Sequence, residues 1–283
     1  MAVRSQPTAR QERLGTELRK MREAAGLTAR EAAERVGTTS AQMSHVEAGR
    51  TGVSEERLRS MATHYACLDG ALIDELVTMA TERDKGWWEE YRGILAHGAL
   101  DLAELEYRAT RLRTFQGVYI PGLLQVESYT RALMAYGVPQ PFPHLLEALV
   151  AFRLRRRHVL EGDSSPAYEA VIHEAALRTL AADRKVARDQ LGFILEQSER
   201  PNVTVRVVPF TAEGFGGAGN SLLYVYGPVP RLDTVQVDVL HGPILLDADS
   251  QVARYRALLD KTLTFALSAE TSQRFIHTII REL

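Results

Sequence analysis

The stretch LTAREAAERVGTTSAQMSHVEAGRT, residues 27–51, leaves a chain few ways to fold. It reads as two short helices joined by a tight turn. Thr28 offers an N-cap hydroxyl and Glu31, three residues on, its reciprocal partner in a capping box. Gly37 ends the first helix, because a helix C-terminus commonly needs the left-handed conformation that glycine adopts without strain. Thr38 and Thr39 offer a second N-cap, and residues 40–48 make the second helix. On it Met43 and Val46 turn inward with Ala33 and Val36, while Ser40, Ala41, Ser44 and His45 share the opposite face.

A short helix with an apolar inner stripe and small polar residues outside is what a DNA major groove admits. An αα-hairpin of an ordinary bundle shares the periodicity but has no need of the outer polar face or of Gly49-Arg50-Thr51. The frame L-T-x-x-E-x-A-x-x-V-G-T-T, with E-x-G-R-T after the second helix, resembles the Cro and phage-repressor (XRE-type) helix-turn-helix family. That resemblance implies a lambda-repressor-like, mainly α domain of five helices that binds double-stranded DNA sequence-specifically and regulates transcription. By position in the motif, Ser40, Ala41, Ser44 and His45 become the base readers, and Thr28, Thr39, Gln42, Arg50 and Thr51 the contacts to the DNA backbone. Serine and histidine donate or accept, and Ala41 can meet a thymine methyl. No arginine and no glutamine other than Gln42, which points sideways, stands on that face, so phosphate contacts and DNA shape should carry much of the energy. Glu47 is expected to be structural, paired with Arg35 or Arg50. A single module of this size buries too little surface for tight specific binding, so a homodimer on two half-sites is expected.

The flanking sequence completes such a head. Leu14, Leu18, Met21 and Ala25 form one face of a helix ended by Gly26; Ser54 caps a helix bearing Leu58, Met61, Ala62 and Tyr65; Asp69 opens another with Leu72, Ile73, Leu76 and Val77. Residues 1–10 read as a frayed leader in which Arg4 and Arg10 are the only candidates for a basic arm. The charged TERDKG segment after Ala80 suggests a boundary, giving a DNA-binding domain over 1–80 and a second domain over 81–283. Charge follows that division: residues 1–67 hold eleven Lys and Arg against eight Glu, +3 in a chain whose net charge is −2. No run of about 18 apolar residues spans a membrane, the N-terminus lacks a signal-peptide core, and Cys67 is alone. A soluble cytoplasmic protein without membrane contact is expected.

The second half reads as α+β with a small, mostly antiparallel sheet. Helices are expected from Trp87, over 100–113, 127–136 and 145–160, twice between 167 and 199, and at 249–267 and 270–282, the last capped by Ser268. Alternation over 203–207, 221–226 and 234–240 predicts strands, with a short fourth at 244–246. Arg153, Arg155, Arg156 and Arg157 are a second candidate for nucleic-acid contact, but only 153, 156 and 157 share a face, and a solvated face paired with nearby Glu, or an acidic partner surface, is expected instead. The phrases LEYRATRLRTFQ, IPGLLQVESYTRAL, HEAALR, PNVTVRVVPF and FALSAETS resemble the domain of unknown function that follows a helix-turn-helix in antitoxin-like regulators of the Scr type. That resemblance implies a small protein partner acting on the second domain, and supplies no ligand or active site. A one-component repressor, with a small effector held near Trp87, Trp88 or Phe215, is the alternative.

Catalytic chemistry finds no support in the sequence. HEAAL at 173–177 has Leu177 where a zinc motif needs its second histidine, and His158, His241 and His277 are isolated. The glycine-rich 213–220 stretch lacks the Lys-Ser/Thr end of a phosphate loop and precedes a strand, so a hairpin loop is expected. No serine sits in a nucleophile elbow. No enzyme, cofactor or metal is predicted.

Overall fold

Five helices, each opened by a side-chain cap, follow one another in the first part of the chain. They are α1 (Ala9–Ala24), α2 (Ala29–Arg35), α3 (Ser40–Glu47), α4 (Glu55–His64) and α5 (Gly70–Thr81). Their N-caps are Thr8, Thr28, Thr39, Ser54 and Asp69, each accepting a backbone N–H of the first turn. The computed structural model describes residues 4–83, 85–217, 221–239 and 242–283. Leu240, His241 and the end of the glycine-rich stretch, residues 218–220, lie outside the described residues, as does Asp84 of the TERDKG segment. The chain forms two compact units, Met1–Trp87 and Trp88–Leu283, with TERDKG inside the first.

The core of the first unit is mostly where the apolar periodicity places it, except that Ala25 is exposed and Val36 only half-buried. Leu18, Leu58, Leu72 and Leu76 are fully sealed, each worth about 2 kcal/mol of transfer free energy. Met21, Ala33, Met43, Val46, Met61 and Tyr65 fill the space between them. Two glycines let helix and loop backbones touch. A Cβ on Gly15 of α1 would fall on the Glu47 carbonyl oxygen and 2.7 Å from that of Val46. Gly49, at φ +68°, would bring a Cβ 2.7 Å from the Gln11 carbonyl oxygen.

A 3-10 turn, Trp87–Tyr91, starts at the last residue of the first unit, and the second unit continues with α6 (His97–Tyr107), β1 (Arg111–Gln116), α7 (Glu127–Ala135) and α8 (Pro143–Arg156). A further 3-10 turn, Arg157–Leu160, leads to β2 (Ala167–His173), α9 (Glu174–Arg178), α10 (Arg184–Gln197) and β3 (Val203–Val208). Then come β4 (Leu222–Tyr226), β5 (Thr234–Val239), β6 (Gly242–Leu246), α11 (Asp249–Leu263) and α12 (Ala269–Glu282). The six strands form one mixed sheet in the order β3-β2-β1-β4-β5-β6. Pairs β1–β2 and β2–β3 are parallel and the other three antiparallel, with Leu112 opposite both Tyr168 and Val225. One face carries Leu112, Tyr168, Ile172, Val205 and Val225 against Leu191, Ile194, Ile276 and Ile279 of α10 and α12. The other carries Phe115, Val171, Tyr224 and Val235 against Val252 and Leu259 of α11.

The α+β class holds, and two strands correct the sequence-based element assignment. The helix expected over 100–113 stops at Tyr107, and Arg111–Gln116 is a strand. Its signal is masked because an inward position is taken by Arg113, only 4% exposed. That guanidinium is satisfied by Glu169 (2.8 Å), Asp260 (2.7 Å) and the Tyr226 hydroxyl (3.3 Å). The first of the helices expected after residue 167 is likewise β2, whose AYEAVIH alternation runs directly into the helical EAALR. With these two the sheet has six strands rather than four.

Close helix packing at Gly15 sets a stability test. Gly15→Ala should cost about 1–3 kcal/mol by overpacking against the α3 carbonyls. Gly192→Ala, on the exposed face of α10 with nothing within 4 Å of its Cβ, should gain about 0.5–1 kcal/mol from helix propensity. Urea unfolding of both variants measures the contrast.

Candidate nucleic-acid interface

The helix-turn-helix is built by short-range bonds. Thr28 Oγ1 accepts the Glu31 N–H (3.2 Å), while Glu31 Oε2 accepts from both the N–H and the hydroxyl of Thr28 (2.8 and 2.7 Å). These bonds hold the exposed Glu31 carboxyl below its usual range. Val36 caps α2, and Gly37 follows at φ +65°. Thr39 Oγ1 then accepts the Gln42 N–H at 3.2 Å and starts α3.

Orientation of α3 depends on one buried ion pair. Arg22 of α1 donates Nε to Glu47 Oε1 (2.6 Å) and Nη2 to Oε2 (3.0 Å), and its Nη1 reaches the Leu27 carbonyl (2.6 Å). The two side chains are 9% and 8% exposed. One guanidinium thus ties together α1, the entry to α2 and the end of α3. The bond to Glu47 raises the Arg22 pKa against the opposing effect of burial. Below it, burial pushes the Tyr65 phenol up to about 12, so its proton stays in place and faces Met43 Sδ at 3.7 Å. Glu47 is therefore structural, as its position suggests, but its partner is Arg22 and not Arg35 or Arg50.

The side chains singled out as DNA contacts fall into distinct settings. Ser40, Ala41, Gln42 and Ser44 are exposed, and His45 is half-buried. Ser44 donates its hydroxyl back to the Ser40 carbonyl at 3.0 Å, so contact with a base acceptor needs a rotation of χ1. Gln42 Oε1 accepts from Thr38 Oγ1 at 2.8 Å, which draws the side chain toward the turn. Both donors of Thr28 are committed to Glu31, whereas the Thr39 hydroxyl accepts but makes no donation among the described residues. The His45 carbonyl accepts the N–H of Arg50 (2.9 Å) and of Thr51 (3.2 Å), closing the loop that presents an exposed Arg50 and a half-buried Thr51.

Three further features were not legible from the motif. Arg57 of α4 lines the same surface hollow as Thr38 and Gln42; a sequence position ten residues past α3 does not reveal that return. Arg35, Arg50 and Arg57 form no ion pair among the described residues. The segment at Arg4, expected to be frayed, is bonded to the loop after α3, through its N–H to the Arg50 carbonyl (2.9 Å) and Nη1 to the Gly49 carbonyl (3.2 Å). Arg10 instead pairs with Glu82 at 2.9 Å.

Outside this unit the other candidates resolve into packing. Trp88 is 3% exposed and packs on Tyr107 at 5.4 Å, and Phe215 packs among Phe115, His173 and Phe265. Arg156, expected on a solvated face, is buried with Glu106, while Arg155 follows the expectation by pairing with Glu90. Among the described residues no group of three or more His, Cys, Asp or Glu could hold a metal ion, and no helix is long and apolar enough to cross a membrane.

A capped helix-turn-helix with an outward polar helix defines a DNA-binding regulator, and comparison with known families agrees. A helix-turn-helix domain profile matches residues 13–76. The profile of a domain of unknown function (DUF5753) matches residues 99–278, most of the chain, and the protein belongs to that family. No curated protein and no solved structure matches the chain.

The buried clamp predicts a steep response. Arg22→Met strands the Glu47 carboxylate in the interior, a change that costs about 3–5 kcal/mol. Circular dichroism should show the first unit melting far below wild type, whereas the double change Arg22→Met, Glu47→Leu should recover much of the loss.

Proposed function

We propose that the protein is a transcription regulator that reads double-stranded DNA as a homodimer, with α3 in the major groove of each half-site. The observation that supports this best is the exposed face Ser40-Ala41-Ser44 of α3, with Arg57 lining a hollow beside Thr38 and Gln42 and Arg50 exposed in the loop that follows, neither arginine in an ion pair among the described residues. Unneutralised guanidinium groups next to a helix of groove-compatible size suit a phosphate backbone. Ser40, Ala41, Ser44 and His45 are assigned to base edges, and Thr39, Gln42, Arg50 and Thr51 to the backbone, with Arg57 added. Thr28, whose donors both serve Glu31, contributes chiefly as the cap of α2.

The second unit is assigned the control input and no catalytic role. Its resemblance to the domain of Scr-type antitoxin-like regulators supports a small protein partner as the source of that input. Such a regulator acts in the cytoplasm on the nucleoid.

A fluorescence-anisotropy titration on the gene's own upstream region, with unrelated DNA at the same salt, tests the reading. Wild type should prefer the upstream DNA. Arg50→Ala and Arg57→Ala should weaken both DNAs alike and lower the salt slope by about one each. Substituting Ser40 and His45 together should erase preference worth about 1–3 kcal/mol while leaving weak binding intact. Unchanged preference in that pair of substitutions overturns the base-reading assignment.

A further inference from the structure

Two arginines of the second unit are partnered unlike their neighbours. The end of α8 and the following 3-10 turn carry Arg153, Arg155, Arg156 and Arg157. Arg155 is paired with Glu90 (2.9 Å), and Arg156 forms a bidentate pair with Glu106 (2.8 and 2.6 Å). Arg153 and Arg157 have no carboxylate within bonding distance among the described residues. Both turn to Gln125 instead: Arg153 Nη1 donates to its Oε1 at 3.3 Å and Arg157 Nη1 to its backbone carbonyl at 3.3 Å. A guanidinium has five N–H donors, so each retains most of its capacity. Both residues are half-buried, neither sealed in the core nor free in solvent.

The electrostatics are those of cations short of a counter-charge. Burial lowers the Arg153 pKa to about 10, and Arg156 adds to the effect. The acidic groups that oppose it are Glu106, already held by Arg156, and Asp238, which accepts from Gln236 Nε2. Burial also lowers Arg157, with Glu161 and Glu196 opposing and Arg200 reinforcing. Half-buried cations with no carboxylate partner keep donors open to an outside anion.

The surrounding frame is fixed. Gly122 lacks the side chain that would meet Arg153 Nη1 at 2.8 Å, so the guanidinium lies on the backbone there. Gln125 is held through Nε2 to the Ile120 carbonyl (2.7 Å) and by the Thr130 hydroxyl on Oε1 (3.1 Å). Gln190 fastens both sides of the same segment, donating to the Leu124 carbonyl (2.6 Å) and accepting the Val126 N–H (2.9 Å). Arg157 is stacked over Phe193, 4.3 Å from the ring centroid. Pre-set guanidinium forks are the usual means of recognising a carboxylate or phosphate group.

We propose that Arg153 and Arg157, bridged by Gln125, form a binding site for the oxyanion group, carboxylate or phosphate, of a small soluble ligand. The site is independent of the DNA-reading assignment. The test uses the full chain with inorganic phosphate and succinate as probes, against chloride at matched ionic strength. Calorimetric titration should show saturable binding of one or both, phosphate alone pointing to a phosphate ester and succinate alone to a carboxylate. The binding probe should protect Arg153 and Arg157 from phenylglyoxal in the wild-type chain, mapped by peptide mass. Arg157→Gln should weaken binding at least tenfold, and Arg157→Lys should restore part of it. No saturable binding, binding undiminished in Arg157→Gln, or modification of both arginines unaffected by the probe would each overturn the proposal.

Discussion

The Arg22–Glu47 pair is the interaction on which the reading head depends. A helix as short as α3, eight residues, has little stability of its own. Its inner face contributes two buried side chains, Met43 and Val46, which fix its depth but resist rotation weakly. The bidentate pair adds direction, because a planar guanidinium meets a carboxylate in one geometry. With the third bond to the Leu27 carbonyl, the same side chain also sets where α2 begins. Gly15 and Gly49 complete the arrangement by letting the α1 backbone approach the end of α3 and its loop. The outward face of α3 is therefore rigid for reasons lying behind it.

Arginine serves as a structural tie elsewhere in the chain, which has only four lysines among its 34 basic residues. Arg113 anchors a central strand through Glu169 and Asp260, Arg156 is closed on Glu106, and Arg256 joins Asp233 and the Tyr224 hydroxyl. The buried ones, Arg113–Glu169 and Arg156–Glu106, add little net stability compared with an apolar filling but are costly to break, so they fix geometry more than they deepen the free-energy minimum. Set against these closed pairs, Arg50, Arg57, Arg153 and Arg157 form no ion pair among the described residues.

Legibility in the sequence followed the range of the interactions. Caps at Thr28, Thr39, Ser54, Asp69 and Ser268 act over three residues, and the sequence shows each of them. The amphipathic faces of α1, α4 and α5 are equally plain, since a 3.6-residue period is a local property. What escaped was set by partners far along the chain. Arg113 looks like a helix-surface residue until Glu169 and Asp260 stand beside it, and β1 was lost with it. Glu47 has its partner 25 residues upstream, beyond the nearer arginines that spacing suggested. Arg57 and Arg4 reach the motif only through the tertiary fold.

In the proposed mode of binding α3 enters the major groove. Dimethyl sulfate methylation of guanine N7, which lies in that groove, tests it directly on a DNA fragment the full chain binds selectively. Protection should be confined to two short segments about one helical turn apart, centre to centre, and should be lost when Arg22→Met releases α3. Selective binding with every guanine N7 still reactive would contradict it, because the groove would then be empty.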